Sequence, residues 1–567
     1  MMPRLLFLIV LFSSTPFTLA AEPVDIGHNW QLFLDDYIVA RATGLDRVLH
    51  PPRPRGVVLP ADKPWETYGV ELLYGTPVGR RADGTFFMFY RAMWWSPGTD
   101  DGADRAHHMT FSVGYATSED GIHWEKPNLG LSDAPAEIRY HDQWPESAGS
   151  TRENNIGVPI MDPTDLGTYG NVADPQKRFL LRVVEGHQEA LSVTGGNWEA
   201  FFAAELPDFI NDENWREKLT PTGSTLSPRR HYINFWDDIH NEWVALDQGI
   251  GGHWLPSRDI ARLASPDLQN WTGEVALYPD AHDPHSLEHY EEPMTLHPYY
   301  SDGVVFGLLS WFRSDRTDRN GGPVLKPDEE HPHYWPWSRK GICDARITIS
   351  RDGGKTWDRT VSRKPWIACS PDEHASDRQA YRPAPPVRVG DEDYFYVTTM
   401  NGDHLVTRNT PGQESFYHDR VVKMEILLYT QRHHGFVSMR GGGAEPEVLI
   451  TKPVILNGDR LELNVDASHG EVRVAIASAE PRIEDLGGGR TLTIDAPHLA
   501  QPFSGFSFGD CEPIRANSVR HEVQFKDDRS LEQFAGKPVY LMFQLFDADL
   551  YGFRAAEQND QLTTEQP

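Results

Sequence analysis

Two adjacent glutamates, Glu291 and Glu292, open an apolar stretch that continues through Pro293 to His297. A third acidic candidate, Glu71, lies within the apolar run Val70 to Val78, and a fourth, Asp36, sits beside Asp35 inside Trp30 to Ala40. Two carboxyls whose surroundings separate their protonation can work together. The one kept as an acid donates a proton to one side of a bond, and the other attacks or activates water on the far side. Glu292 is the first choice for the acid, with Glu291 as its alternate; the partner is Glu71 or Asp36. Arg91 and Arg382 carry the planar fork that grips a carboxylate or sulfate through two parallel hydrogen bonds. Tyr381 and His231 are further binding candidates, and Trp94 and Trp95, with Trp335 and Trp337, offer flat faces for stacking. Each of these charged residues has a structural alternative, an ion pair between neighbouring sheets. The alternation His331-x-His333 puts two imidazoles on one side of an extended chain. Histidines on polar loops are ordinarily solvated, and the reading assigns no metal ligand.

The elements that must position these residues are strands ending in a repeated turn. Ser350-Arg351-Asp352-Gly353-Gly354-Lys355-Thr356-Trp357 follows the alternating strand Ala345 to Ile349. An Asp carboxylate accepts backbone N–H bonds in such a turn, Gly supplies positive φ, and the Trp folds back beneath it. This is the pattern of an Asp-box. Related copies run from Ser118 to Trp124 and from Ser265 to Trp271. A unit of three or four strands ending this way recurs over 66–127, 154–215, 231–271, 288–357 and 380–440. In the second unit the turn survives as Gly195-Gly196-Asn197-Trp198, and in the fifth Phe436 takes the Trp position. Five such units predict an all-β fold, a five-bladed β-propeller over 21–446. Leu32 to Ala40 is placed to close the ring beside the last blade. The innermost strand of each blade lines the funnel, which is why the candidates at the heads of first strands matter most.

From about Glu447 the texture changes. Pro453 to Val465 is a hairpin pattern turning at Asn457-Gly458-Asp459, and Val472 to Ala477, Val519 to Phe525 and Val539 to Phe546 alternate likewise. This predicts a C-terminal β-sandwich over 447–556, with a frayed tail over 557–567.

Composition agrees with many short strands: 47 Gly and 43 Pro supply turns, and 17 Trp supply core. With 3 Cys, a disulfide framework cannot be what holds the fold. The net charge of −30 excludes a broad nucleic-acid partner, because phosphate binding needs a positive surface. Arg4 followed by the apolar run Leu5 to Phe12 and by Thr18-Leu19-Ala20 reads as a signal peptide over 1–20. The expected location is therefore secreted or periplasmic. No later stretch is apolar enough to span a membrane, so no membrane partner is expected. The oligomeric state is not legible.

A propeller followed directly by a sandwich resembles the glycoside hydrolases of families 32, 43 and 68, and most closely the secreted family-32-like bacterial proteins. The residues that carry the resemblance are Leu32-Phe33-Leu34-Asp35-Asp36-Tyr37-Ile38-Val39, the units ending at Ser118 and Ser265, Phe503 to Ile514, and Leu545 to Tyr551. The family-32 signature N-D-P-N-G is absent, and no R-D-P triplet stands on the second blade. The resemblance implies a carbohydrate substrate, hydrolysis by a funnel carboxyl pair, and an acid at Glu291-Glu292. It implies no required cofactor, although a calcium ion in the funnel also fits it. Two other readings stay open. One is a polysaccharide lyase using Tyr381, His231 and Arg382 on a uronate; the other is a carbohydrate-binding propeller without catalysis.

Overall fold

The computed structural model describes residues 22–63, 66, 69–72, 77–80, 83–97, 107–126, 137–138, 180–185, 188–193, 233–248, 259–266, 270–283, 289–315, 341–370, 378–402, 423–480, 482–487, 490–494 and 496–557. Among these residues the chain is all-β, with three short 3-10 turns and no α-helix. The strands form where β-branched and aromatic residues alternate or run together, and they pair with their neighbours in the chain. Ile233–Asp237, Glu242–Gln248, Ile260–Ser265 and Thr272–Leu277 make one antiparallel meander. His289–Ser301, Val304–Asp315 and Gly341–Ser350 make another. Of the second expected unit, the described residues include the hairpin Leu180–Glu185 with Gln188–Val193.

The first and fifth expected units share a single ten-stranded sheet. Their junction is a parallel bridge between Met424 and Gly69. Gly69 sits at φ 151° with Met424 packed on it, so a Cβ there would lie 2.7 Å from Met424 backbone and side-chain atoms. The outer strand of the fifth unit is Arg53–Leu59, paired with Met424–Arg432.

Leu32 to Ala40 therefore does not close the last blade, contrary to expectation. Gln31–Leu32 pairs with Ala548–Ala556, and Val39–Thr43 pairs with Glu447–Thr451. The reason is burial: Leu32, Phe33, Leu34 and Ile38 are all sunk in the core. Such a segment needs cover on every side, which the C-terminal sheets supply. Two six-stranded sheets result, each combining N-terminal and C-terminal strands. They pack through contacts such as Phe543 on Phe553, with ring centroids 5.1 Å apart. Val437–Gly441, which lies before residue 447, also belongs to these sheets through its pairing with Ala548–Ala556. One continuous apolar cluster joins them to the meanders, and Trp366, Phe395, Phe436 and Phe306 sit in it.

The turns at 118–124 and 350–357 are built alike. Gly121 N–H donates to Ser118 Oγ at 2.9 Å, and Gly354 N–H donates to Ser350 Oγ at 2.8 Å. The Asp120 carboxylate accepts Ile122 and His123 N–H, and Asp352 accepts Thr356 N–H. Trp124 and Trp357 each return an indole N–H to the turn glycine's carbonyl at 3.1 Å. Backbone and side-chain hydrogen bonds from His123 hold Asp120 below the usual carboxylate range. Residues 267–269 of the third turn lie outside the described residues.

Candidate functional site

Three strand beginnings bring the predicted residues together. Gly69–Leu72 carries Glu71, and all four of its residues are buried. Glu71 lies opposite Arg91 in the antiparallel register, and Arg91 Nη1 meets Glu71 Oε2 at 3.1 Å. Arg382, on Gln379–Pro383, reaches across from the fifth unit to Glu71 Oε1 at 2.9 Å and to the Leu72 carbonyl at 3.0 Å. All three side chains are buried. Both Glu71 oxygens are thus engaged by guanidiniums, and the three residues form one ionic unit between inner strands. Glu71 locks two strands together in this arrangement.

Glu292 is withdrawn from water completely, at 0% exposure. It lies directly opposite Phe312, which in turn lies opposite Cys343. Residues opposed in antiparallel strands share a face, so these three point together. Tyr381 packs on the small cluster of Met294, Phe312 and Cys343. Its carbonyl accepts a hydrogen bond from Ser310 Oγ, and the Arg382 guanidinium lies 5.3 Å from the Tyr381 ring centroid. Strand Gln379–Pro383 therefore has the Glu71 unit on one side and the face of Glu292 on the other.

Glu291 turns to the opposite face, as the period of two requires. Its Oε2 accepts Trp311 Nε1–H at 2.7 Å and Arg346 Nη2–H at 3.0 Å. Arg346 also donates through Nε to Asp344 Oδ1 at 2.7 Å, and Arg313 Nε meets Asp344 Oδ2 at 3.0 Å. Asp344 is fully buried. Burial pushes its carboxyl above the ordinary range, Arg346 and Arg313 pull the other way, and the Glu291 charge adds to the rise. Burial and the same Asp344 charge push the Cys369 thiol up to about 11, which makes it a poor nucleophile. Cys343 and Cys369 are both free thiols.

The remaining predicted residues fall elsewhere or cannot be placed. Asp36 is exposed and pairs with Arg47, on the segment that joins the C-terminal sheets. Its neighbour Asp35 is the buried one, bound by Arg351 at 2.7 Å. Trp94 and Trp95 stand on strand Phe86–Pro97, opposite Thr110 and Met109, rather than on the expected loop. His231, His331 and His333 lie outside the described residues. Sequence reasoning missed Trp311, Asp344 and Arg346. A signal for two of them existed: Asp344-Ala345-Arg346 sets two opposite charges at strand spacing inside an otherwise apolar run.

Among the described residues, one group has the ligand types and closeness a metal needs, namely Asp237, His240 and Glu242. Arg262 donates to Asp237 at 2.7 Å and meets Glu242 at 2.9 Å. A guanidinium already stands where an ion's charge would sit, so this group does not fit a resident metal.

No sequence profile of a known family matches the chain, and no curated protein does. Solved structures are similar in outline. One is a glycoside hydrolase, with TM-score 0.37 and 13% identity, covering 67% of this chain and 92% of the other. Another is the β-1,2-mannobiose phosphorylase of Listeria innocua in complex with β-1,2-mannobiose, at TM-score 0.35 and 11% identity, covering 66% and 94%. A third is an N-acetylgalactosamine deacetylase from F. plautii in complex with blood group B trisaccharide, at 0.34 and 13%, covering 69% and 97%. These three proteins are named for different reactions, and none of those reactions is carried over to this chain.

Proposed function

We propose that the protein is an exported, exo-acting glycoside hydrolase whose consecutive sheets close as a five-bladed propeller around a funnel, related in plan to families 32, 43 and 68. Its substrate in this reading is the end of a plant or algal glycan. The observation that carries it is the position of Gln379–Pro383 between two buried glutamates, with Arg382 on Glu71 and Tyr381 packed beside the face that Glu292 shares. Glu292 has the setting in which enzymes keep a carboxylic acid for proton donation, at the head of an inner strand and out of water. It protonates the leaving oxygen of the glycosidic bond as that bond breaks. Tyr381 packs on Phe312, the residue opposite Glu292, while Arg382 and Arg91, both committed to Glu71, position the strands rather than grip substrate. The reaction requires no cofactor in this reading.

Product analysis of the purified protein on a panel of glycans tests it, with reducing ends and the ultraviolet absorbance of unsaturated uronates recorded together. Reducing ends without that absorbance, lost in Glu292→Gln, are expected. Absorbance that survives Glu292→Gln would replace the hydrolase with a lyase. No product on any glycan would leave a binding protein.

A further inference from the structure

A cavity of about 200 Å³ lies where the ends of the meanders meet the C-terminal sheets. Ser301 is on its wall, nine residues beyond Glu292 on strand His289–Ser301, which is about 30 Å at the usual rise per residue. Trp30, Asp302, Arg388, Asp393, His433 and Arg554 also line it. We propose that this cavity is a second carbohydrate site, apart from the candidate active site, which takes one uncharged sugar ring of a glycan. Such a site does not depend on the hydrolase reading.

Arg388 lies directly opposite Asp393 in the antiparallel pair of Val387–Val389 with Glu392–Met400, so the two side chains stand on one face. Among the described residues they form no ion pair with each other. Asp393 Oδ1 meets His433 Nδ1 at 2.9 Å, and Asp393 Oδ2 has only the long contact of His434 N–H at 3.4 Å. Arg388 uses Nε alone, on the Gly390 carbonyl at 3.1 Å, and so keeps both terminal nitrogens as donors among the described residues. Arg554 spends Nε and Nη2 on Glu462, which also pairs with Arg520, and keeps Nη1.

The histidine completes the set. An ionised carboxylate only accepts, so the proton between Asp393 and His433 sits on Nδ1, and the neutral ring offers Nε2 as an acceptor. Burial lowers His433 against the pull of Asp393, which favours that neutral ring. The wall thus combines guanidinium donors on Arg388 and Arg554 with acceptors on Asp393 and His433. A sugar hydroxyl donates and accepts at once, so neighbouring hydroxyls satisfy both kinds. A simple anion would leave the acceptors unpaired, and a cation the donors. Trp30 adds an apolar surface for the C–H face of a ring. Size agrees: a cavity of roughly 150 Å³ holds one benzene ring, so one six-membered ring with its hydroxyls fits here and two do not.

Calorimetric titration with the methyl pyranosides of glucose, galactose and mannose is the test, run on the wild type, Arg388→Ala and Glu292→Gln. Arg388 is exposed and holds one backbone carbonyl, so the alanine variant keeps the fold. At least one pyranoside is expected to bind saturably. Arg388→Ala weakens that binding by about tenfold or more, the factor that one hydrogen bond to a charged group carries. Glu292→Gln leaves it unchanged. No binding of any pyranoside overturns the proposal, as does binding that Arg388→Ala leaves as it was. Binding lost in Glu292→Gln puts the sugar in the candidate active site and also overturns it. Failure of the hydrolase reading shows differently. A wild type without turnover on any glycan that still binds a pyranoside through Arg388 keeps this site and loses only the hydrolase.

Discussion

Arg382 Nη1 lies 2.9 Å from Glu71 Oε1, between the first strand of the fifth unit and the first strand of the first. The chain separates these residues by more than half its length, yet each is buried and each is the other's counter-charge. Removing Glu71 leaves the buried Arg91 and Arg382 guanidiniums without their shared counter-charge. Glu71→Ala is therefore expected to destabilise the protein by roughly 3–5 kcal/mol, whereas Arg382→Ala, which leaves Glu71 paired with Arg91, costs less. Urea midpoints of the two variants check this, and equal losses in both would contradict it.

Trp366 is expected to be among the costliest apolar residues to remove. It is fully buried, its ring lies 4.8 Å from that of Phe395 and 5.3 Å from that of Phe436, and its indole N–H donates to Gln431 Oε1 at 3.2 Å. Gln431 in turn donates to the carbonyls of His50 and Gly435. Trp366→Ala leaves a cavity and deprives Gln431 of a donor, so a loss of about 3–5 kcal/mol follows. Equilibrium unfolding of the variant measures it.

Acidification should loosen the joint between meanders and C-terminal sheets. His434 Nε2 meets Asp302 Oδ2 at 2.9 Å, Trp30 N–H donates to Asp302 at 3.0 Å, and His433 Nδ1 meets Asp393 at 2.9 Å. A cavity of about 200 Å³ lies among these groups, with Arg388 and Arg554 also on its wall. Burial alone would raise Asp302 and Asp393, but their histidine partners hold both below the ordinary carboxylate range. Carboxyls lowered on folding stabilise the fold above their unfolded value of about 4, and that stability goes as pH falls below it. Burial lowers His433 against the opposing pull of Asp393. Its contribution is present above about 6.5 and lost as pH falls from there. All three effects have one sign. Stability should decline below about pH 6.5 and fall steeply below about 4, with Asp302→Asn blunting the steep phase. Urea titrations across this range check it, and a stability that rises on acidification would contradict it.

In the hydrolase reading, which requires no cofactor, dialysis against EDTA should leave turnover unchanged; among the described residues, the cluster Asp237, His240 and Glu242 already holds the Arg262 guanidinium. A loss that calcium restores would place an ion in the funnel instead.

Much of the strand pattern was legible because it is local. The turn at 350–357 shows in the spacing of Ser350, Asp352, Gly354 and Trp357, and the hydrogen bonds join those same residues. The ionic unit of Glu71 was half legible. Its residues stand out as charges in apolar runs, but nothing local says that Arg382 and Arg91 are spent on Glu71. The destination of Leu32 to Ala40 is not legible, because an apolar strand does not name its partner. Residues more than 400 positions away supply the covering sheets. The polar residues between Trp95 and Met109 read locally as a loop, yet Trp94 and Trp95 lie on a long hairpin whose strands pair from Phe86–Ser118 out to Pro97–His107.

The central claim, that Glu292 is the proton donor of a glycoside hydrolase, is tested most directly by Glu292→Gln on two substrates. One is the natural glycan, whose leaving oxygen needs a proton. The other is an aryl glycoside of the same sugar with a strongly acidic phenol, which leaves without one. The account predicts a loss of about a hundredfold or more on the glycan and little change on the aryl glycoside. Equal losses on both substrates, or none on either, would contradict it.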